Sequence, residues 1–271
     1  MSIHILAIDA GNTQIKLGIC RNISSETSQL PECEGVLVAR RDENLPWDVL
    51  RRQLENEKNV RAIVTGSHPS TVRRLLEEWP ADLPPLHGLL DRSRLPIRLD
   101  VEFHDRVGID RLLSCIAANA LRPANRPAIV VDTGTAVTVN AVSMEGTFCG
   151  GAILPGLGLS ARALHQYTAL LPELDWQQLL VHEPDVVGRH TEAAIASGLY
   201  WGLRGSVREL VDQMGRELGE QAESPLVVLT GGAARVWTHN LPDRWIYEPH
   251  LTLKGIAVAA MNVPELFGPS S

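Results

Sequence analysis

Two stretches of the chain repeat one pattern of apolar and polar positions. Residues 5–8 and residues 128–131 are apolar runs, and each run leads into an acid, Asp9 or Asp132. A turn containing Gly and Thr follows each acid, and apolar and polar positions then alternate. An apolar run, a tight turn and a period of two are typical of paired strands. The sequence therefore predicts the same hairpin twice, with an aspartate at the tip of each.

Further helices and strands are predicted after each hairpin. Helical spacing of apolar residues predicts helices, and short apolar runs predict strands. The predicted helices cover residues 47–54, 70–79, 110–121, 160–171, 191–218 and 254–261, and the predicted strands cover residues 36–39, 62–65, 97–103 and 226–229. Within the longest helix, Gly198, Gly202 and Gly205 have near-helical spacing and would let another helix approach closely.

The order of these elements predicts how the chain is organised. Residues 122–127 (RPANRP) are the best candidate for a boundary, because the hairpin pattern restarts directly after them. Residues 80–96 look irregular. A repeated set of strands followed by alternating strands and helices indicates a duplicated α/β fold. We expect two domains, residues 1–122 and residues 123–271.

Composition and charge narrow the class of protein. The 271 residues are 44% hydrophobic and 21% charged, which provides ample material for a core. The net charge of −7 argues against a general nucleic-acid binder, because such proteins need a basic face. The four cysteines form no C-x-x-C pair, so we expect reduced thiols rather than a disulfide framework or a zinc site. Neither a signal-peptide pattern nor an apolar segment of membrane-spanning length is present, so the chain is expected to be cytoplasmic.

The hairpin tips are the first candidates for chemistry. A carboxylate at a strand end, beside backbone N–H groups and a Thr hydroxyl, suits a metal-bound phosphate. The alternative is that the Asp-Gly turns only connect strands. For one copy we would favour that alternative, but the repetition of Asp, Gly and Thr in both tips favours phosphate binding. The chain contains no G-x-x-x-x-G-K-[ST] motif, so it is not an ordinary P-loop enzyme. Residues 156–161 match the dinucleotide-binding pattern G-x-G-x-x-A, but the match lies outside a clear βαβ unit, which disfavours a nicotinamide or flavin cofactor.

Four other features each allow a structural and a chemical interpretation. Asp110, at the start of a predicted helix, could cap that helix or act as a base toward a hydroxyl. Arg111 could form a surface ion pair or hold a carboxylate. Thr191 could be a helix N-cap or a substrate contact. Residues 230–232 (TGG) could be a strand-to-helix turn or a place where a ligand lies against backbone.

Together these motifs resemble those of type III pantothenate kinases over almost the whole chain. The matching stretches, in the family's order, are residues 9–13 (DAGNT), 108–111 (GIDR), 132–136 (DTGTA), 150–156 (GGAILPG), 191–198 (TEAAIASG), 230–232 (TGG) and 251–255 (LTLKG). The two D-x-G-[NT]-T loops are common to the wider actin-like ATPase and sugar kinase superfamily. The G-x-D-R and G-G-x-I-x-P-G stretches narrow the resemblance to this family.

The resemblance implies a duplicated ribonuclease H-like (actin-like ATPase) fold with a cleft between two similar halves. The residues it implies for binding the ATP phosphates and the nucleotide are Asp9, Gly11, Asn12, Thr13, Gly134, Thr135, Gly231 and Gly232. It implies that Asp9 and Asp132 take part in binding the magnesium ion. It also implies a monovalent cation, K⁺ or NH₄⁺, and a homodimer whose partner subunit helps to complete the substrate site.

For the substrate, the resemblance implies that Asp110 is the base that accepts the proton of pantothenate's primary hydroxyl. Gly108, Arg111 and Thr191 would contact pantothenate, with Arg111 suited to its carboxylate. The chain departs from the family at Asn140, where an Asp is usual. The family often has a tyrosine upstream of G-x-D-R that contacts pantothenate, and here the nearest aromatic residue is Phe103.

The predicted function is the ATP-dependent phosphorylation of pantothenate to 4′-phosphopantothenate, the first step of coenzyme A biosynthesis. One alternative is a kinase of the same fold that acts on another small hydroxylated metabolite, because fold does not fix substrate. The other is a nucleotide-binding regulator without kinase activity, like the accessory-factor branch of the family. No nucleic-acid or membrane partner is expected.

Overall fold

Two five-stranded sheets with the same strand order form the framework of the protein. The computed structural model describes residues 3–21, 30–219, 224–238, 240–263 and 266. The first sheet, in the order β3-β2-β1-β4-β5, consists of β1 (His4–Ala10), β2 (Gln14–Arg21), β3 (Glu32–Arg40), β4 (Val60–Thr65) and β5 (Leu86–Gly88). The second sheet, in the order β8-β7-β6-β9-β10, consists of β6 (Ala128–Thr133), β7 (Ala136–Val142), β8 (Phe148–Pro155), β9 (Leu226–Thr230) and β10 (Trp245–Tyr247).

Strand directions repeat between the two sheets. Strands β1 to β3 pair antiparallel, as do β6 to β8. Strand β4 pairs parallel with β1, and β9 pairs parallel with β6. Strands β5 and β10 then extend each sheet in the same direction. The duplicated α/β fold predicted from the sequence is therefore confirmed.

Seven α-helices accompany the described strands. They are α1 (Trp47–Leu54), α2 (Pro69–Glu78), α3 (Ile109–Leu121), α4 (Leu157–Gln166), α5 (Thr191–Glu217), α6 (Arg235–Thr238) and α7 (Leu251–Met261). Helix α4 spans Leu157–Gln166 rather than the predicted residues 160–171, and Tyr167 ends it with non-helical backbone angles. None of the described helices is long and apolar enough to cross a membrane.

Three strands and one irregular segment differ from the prediction. The short strands β5 and β10 have three residues each, too few for a visible alternation. Strand β8 contains Gly150 and Gly151 and has a register shift between Phe148 and Gly150, so its sequence shows no continuous apolar alternation. Residues 97–103, predicted to be strand-like, contain only an isolated bridge at Leu99.

The first sheet is covered by helices on both faces. Alternate residues of β1, including Leu6 and Ile8, belong to a core with Leu50 of α1 and Val72 of α2. Helix α7 covers the opposite face and packs on α3. That packing is close, because a Cβ atom on Gly255 would lie 2.0 Å from the carbonyl oxygen of Leu113.

The chain divides into two compact units, which differ from the predicted domains at one end. Unit 1 comprises Met1–Leu121 with His250–Ser271, and unit 2 comprises Arg122–Pro249. Unit 2 begins at Arg122, the first of the residues 122–127 that the sequence suggested as a boundary. The expectation that the second domain continues to residue 271 is wrong, because α7 packs on the sheet of unit 1.

The cysteines also differ from the prediction. Cys20 of β2 and Cys33 of β3 are cross-strand partners and form a disulfide. Cys115 and Cys149 form no disulfide. The expectation that all four thiols are reduced was wrong because residues 13 positions apart in sequence meet only when β2 and β3 pair.

Candidate active site

The first candidate loop lies at the tip of the β1–β2 hairpin. Asp9 is in β1, and Gly11, Asn12 and Thr13 follow between the strands. The backbone N–H of Gly11 donates to the carbonyl of Gln14 at 3.0 Å, which closes the turn. Asn12 and Thr13 are exposed. The hairpin and its aspartate therefore lie where the sequence predicted them.

The structure adds two neighbours of Asp9 that sequence reasoning missed. In register, Asp9 is opposite Lys16 of β2 and beside Thr65 of β4. Residues aligned on adjacent strands project from the same face of a sheet. The lysine could have been found by counting back across the predicted hairpin, whereas Thr65 required knowledge of the strand order.

The second candidate loop repeats this arrangement in unit 2. Asp132 lies in β6 beside Thr230 of β9, and Gly134 and Thr135 follow in the turn to β7. The backbone N–H of Gly156, directly after β8, donates to the carbonyl of Thr135 at 3.0 Å. The glycine that ends the GGAILPG stretch thus supports this loop.

A Thr-Gly pair supports each loop from the neighbouring parallel strand. A Cβ atom on Gly231 would lie 2.5 Å from the backbone nitrogen of Thr133, and φ of Gly231 is +96°. In unit 1, a Cβ atom on Gly66 would lie 2.2 Å from the carbonyl oxygen of Ala10, and φ of Gly66 is +152°. Both positions therefore require glycine. Gly232 is exposed, and nothing lies within 4 Å of the place where its Cβ would be.

Asp110 and Arg111 lie in the first turn of α3. The Oδ1 atom of Asp110 accepts a hydrogen bond from the backbone N–H of Arg111 at 2.9 Å. The described residues donate no hydrogen bond to its Oδ2 atom. A Cβ atom on Gly108 would lie 2.5 Å from Oδ1 of Asp110, so glycine leaves space for the carboxylate. Oδ1 thus accepts a backbone hydrogen bond in the first turn of α3, while Oδ2 accepts none from the described residues.

Arg111 is partly buried. Burial lowers the pKa of its guanidinium, and the negative charge of the neighbouring Asp110 carboxylate opposes that shift. An arginine remains protonated in proteins, so this position holds a positive charge that water solvates poorly. Such a cation is suited to a carboxylate ligand.

Thr191 is the first residue of α5, and it lies in an apolar groove. The N-cap is His190, whose Nδ1 atom accepts from the N–H of Ala193 at 3.4 Å. The N-cap interpretation of Thr191 is therefore wrong. The groove has a volume of about 740 Å³ and runs between α4 and α5. Its lining includes Leu164, Leu171 and Gly198 as well as Thr191.

Asn140 is fully buried in β7. Its Nδ2 atom donates to Oγ1 of Thr138 at 3.0 Å. A neutral amide with a hydrogen-bond partner is far less costly to bury than a carboxylate. The residue that departs from the family pattern is thus accommodated without a counterion.

Each candidate loop offers one carboxylate that fits a magnesium ion carrying phosphate and water as its other ligands. Among the described residues, no group of three or more His, Cys, Asp or Glu side chains could hold a metal. Mg²⁺ typically binds one or two carboxylates and completes its shell with phosphate oxygens and water. Thr65, beside Asp9, is buried, and its Oγ1 atom has no hydrogen-bond partner among the described residues. A loop with a single carboxylate therefore suits such an ion.

Comparison with known proteins identifies close relatives. The family model described as type III pantothenate kinase matches residues 5–213. The type III pantothenate kinase of Gluconobacter oxydans is 34% identical, over 94% of this chain and 92% of that protein. Type III pantothenate kinase 1 of Symbiobacterium thermophilum is 32% identical, over 96% of this chain and 98% of that protein.

Solved structures share the fold at low sequence identity. A protein described as a Baf family transcriptional activator, from Campylobacter jejuni, has a TM-score of 0.58 at 16% identity, over 97% of this chain and 99% of that chain. The activator of 2-hydroxyisocaproyl-CoA dehydratase from Clostridium difficile, solved with bound ADPNP, has a TM-score of 0.50 at 14% identity, over 97% and 96%. At these identities the likeness concerns the fold alone.

Proposed function

The chain belongs to the type III pantothenate kinase family, and from this premise we propose that Asp110 is the base of the reaction. The family match covers most of the chain, and the activity is the transfer of a phosphoryl group from ATP to pantothenate in coenzyme A biosynthesis. The product is 4′-phosphopantothenate. The roles of individual residues below belong to this proposal.

The open Oδ2 atom of Asp110 is the observation that carries the proposal. A base must have a lone pair that no internal donor occupies, and Oδ1 already accepts from the N–H of Arg111. Asp110 accepts the proton of the primary hydroxyl, and the resulting oxygen nucleophile attacks the γ-phosphorus of ATP. The P–O bond to ADP then breaks. Arg111, a partly desolvated cation next to this base, holds the carboxylate of pantothenate, and Gly108 leaves space for both.

The two hairpin loops bind the phosphates of ATP. In unit 1, the backbone N–H groups of residues 11–13, the Thr13 hydroxyl and Lys16 contact the phosphate chain. In unit 2, Gly134 and Thr135 form the second phosphate loop, and Gly231 and Gly232 let the nucleotide lie against backbone. Asp9 and Asp132 serve the magnesium ion, which, when bound, neutralises the charge that develops on the phosphate oxygens.

A monovalent cation, K⁺ or NH₄⁺, also belongs to the proposed reaction. Asn140 is neutral and buried, so it adds no charge to such a site. Turnover that rises when K⁺ or NH₄⁺ replaces Na⁺ at constant ionic strength would support this part. Equal turnover in the three salts would show that the reaction needs no specific monovalent cation, and the proposed kinase reaction would stand without one.

A homodimer completes the proposed assembly. The positions of Gly198, Gly202 and Gly205 on α5 have nothing within 4 Å of an added Cβ in the described chain. Exposed apolar side chains of the same unit include Ile153, Tyr167 and Leu170. We propose that a second copy covers this surface. Thr191 lines the same groove as Gly198 and therefore lies at the proposed dimer surface. In the dimer, Thr191 would contact pantothenate at a site that the partner subunit helps to complete.

The test is the substitution Asp110→Asn. It removes the base but keeps the size of the side chain and an oxygen that can accept from the N–H of Arg111. We expect kcat for pantothenate to fall at least about 100-fold, with a small change in KM and in melting temperature. Phosphate transfer is followed as pantothenate-dependent ADP release.

Asp105→Asn is the matched control. Asp105 is an exposed acid five positions earlier, so its variant should retain wild-type kcat. If folded Asp110→Asn protein turns over pantothenate at the wild-type rate, Asp110 is not the base.

A further inference from the structure

Arg41 makes two hydrogen bonds to the first phosphate loop, one from its backbone and one from its side chain. The backbone N–H of Arg41 donates to the carbonyl of Thr13 at 3.0 Å, and its Nη1 atom donates to the carbonyl of Asn12 at 2.9 Å. Because a peptide bond is planar and trans, fixing the Asn12 carbonyl also fixes the direction of the Thr13 N–H. Arg41 thus orients a donor that lies at the exposed tip of the loop.

His68 holds Arg41 from the other side. The Nη1 atom of Arg41 lies 3.2 Å from Nε2 of His68, and Nδ1 of His68 lies 2.7 Å from Oγ1 of Thr71. A guanidinium can only donate, so Nε2 accepts and Nδ1 carries the ring hydrogen. The backbone N–H of His68 also donates to the carbonyl of Ala10 at 3.1 Å. Arg41 and His68 therefore bind both ends of the loop.

Unit 2 shows which part of this arrangement the fold itself needs. There, the N–H of Gly156 donates to the carbonyl of Thr135, and the N–H of Ala233 donates to the carbonyl of Thr133. These bonds correspond to the backbone bonds of Arg41 and His68, because each pair of residues follows equivalent strands. Glycine and alanine supply them without any polar side chain. The guanidinium and the imidazole are therefore an addition specific to unit 1.

We propose that Arg41 and His68 form a positioning pair that holds the first loop in the conformation that binds the phosphate chain of ATP. This inference rests on the proposed function of that loop. Holding an exposed loop in its bound conformation lowers the entropy lost on binding. The pair acts through Asn12 and Thr13, so its effect should appear in the affinity for phosphates rather than in the stability of the fold.

The experiment compares the affinities of ATP, ADP and AMP by calorimetry, with magnesium and without pantothenate. In Arg41→Gln, ATP affinity should fall by about 10-fold or more, as expected for the loss of charge-assisted hydrogen bonds. AMP affinity should stay within about twofold, because AMP lacks the phosphates that the loop orients. In turnover assays, KM for ATP should rise while KM for pantothenate stays constant.

Two further substitutions test the imidazole. The amide oxygen of His68→Gln can accept from Arg41, so this variant should retain most of the ATP affinity, whereas His68→Leu should lose as much as Arg41→Gln. The matched control is Arg40→Gln. Arg40 is an exposed neighbour that pairs with Asp42 and Glu43, and its variant should bind ATP as the wild type does.

Three outcomes would overturn the proposal. Unchanged ATP affinity in Arg41→Gln would show that the loop adopts its ATP-binding conformation without the Arg41–His68 pair. An equal loss for ATP and AMP, with a lowered melting temperature, would show a role in folding only. A wild-type protein that fails to bind ATP would overturn the proposed function as well. This result is distinct from a failure of the positioning pair, because it is seen in the unsubstituted protein.

Discussion

At the scale of single residues, neighbouring glycines at the end of β9 have different tasks. Gly231 lies against Thr133 with a positive φ, so the backbone there tolerates no side chain. Gly232 has open space around it and no positive φ. Gly231 therefore has a packing role beside the second phosphate loop in addition to its proposed place at the nucleotide, while Gly232 only keeps the backbone surface open to a ligand.

The substitutions Gly231→Ala and Gly232→Ala should separate these tasks. We expect Gly231→Ala to lower the free energy of unfolding by about 2–4 kcal/mol, from left-handed backbone strain and overpacking. Gly232→Ala should keep its stability and lose ATP affinity. Urea unfolding and ATP titration of both variants measure the two effects. Equal stability of the two proteins would contradict this account.

Glu57 is a residue whose charge links three strands of the first sheet. Its carboxylate accepts from Arg21 of β2 and lies 2.6 Å from Nδ1 of His4 in β1, while Arg21 also pairs with Glu34 of β3. The side chain of Glu57 is only 12% exposed. The hydrogen bond from Arg21 is the largest cause of a lowered pKa at Glu57. The ionised form is thus the one that folding stabilises.

This shift predicts how stability depends on pH. A lowered folded pKa gives stability that is present above the unfolded value of 4.5 and is lost as pH falls through the folded pKa. At pH 7, Glu57→Gln should be less stable than the wild type by about 1–3 kcal/mol. The difference should shrink as the pH falls below about 4. Urea unfolding at several pH values measures it, and the exposed Glu55→Gln should show no such effect.

At the scale of elements, the β2–β3 pair is joined by more than backbone hydrogen bonds. The disulfide of Cys20 and Cys33 connects the second and third strands of the first sheet. The Sγ atom of Cys20 also lies 3.7 Å from the carbonyl of Leu253 in α7. The cross-link therefore lies under the helix that covers this face of the sheet.

The disulfide gives a direct chemical prediction. When the protein is denatured without reductant and alkylated, only Cys115 and Cys149 should be modified. After reduction all four cysteines should react, and the unfolding free energy should fall by about 3 kcal/mol. Mass spectrometry of the alkylated chain measures both states. Four modified thiols without reductant would instead support the reducing compartment expected from the sequence.

At the scale of the whole molecule, duplication is the main organising feature. Each unit has the same five-stranded sheet, the same loop after its first strand and a Thr-Gly pair after its fourth. The chain breaks this symmetry at its end, since α7 packs on unit 1 and Gly255 makes the close contact with α3. Unit 2 instead leaves the glycine positions of α5 open.

The proposed dimer predicts the molecular mass in solution. Light scattering should give twice the 29.6 kDa of one chain. The substitution Gly202→Gln would fill the open face of α5 and should shift the protein toward monomer without loss of helix content. Arg216→Gln, at the far end of the same helix, is the control and should remain dimeric. A monomeric wild type would remove the dimer from the proposal.

Local pattern was enough to predict the elements that carry the two loops. Asp9 and Asp132 could be assigned to hairpin tips because alternation and turn residues act over a few neighbouring positions. The long helix α5 was predicted almost to its bounds for the same reason. The succession of motifs, from DAGNT to LTLKG, also sufficed to identify the family.

Only the tertiary structure decided which distant residues meet. Periodicity shows which face of an element is apolar, but it does not select the partner of that face. For this reason the Cys20–Cys33 disulfide, the return of α7 to unit 1 and the position of Thr65 beside Asp9 were not predicted. The contact of Arg41 with His68 joins residues 27 positions apart, and it exists because the ends of β3 and β4 lie at the same edge of one sheet.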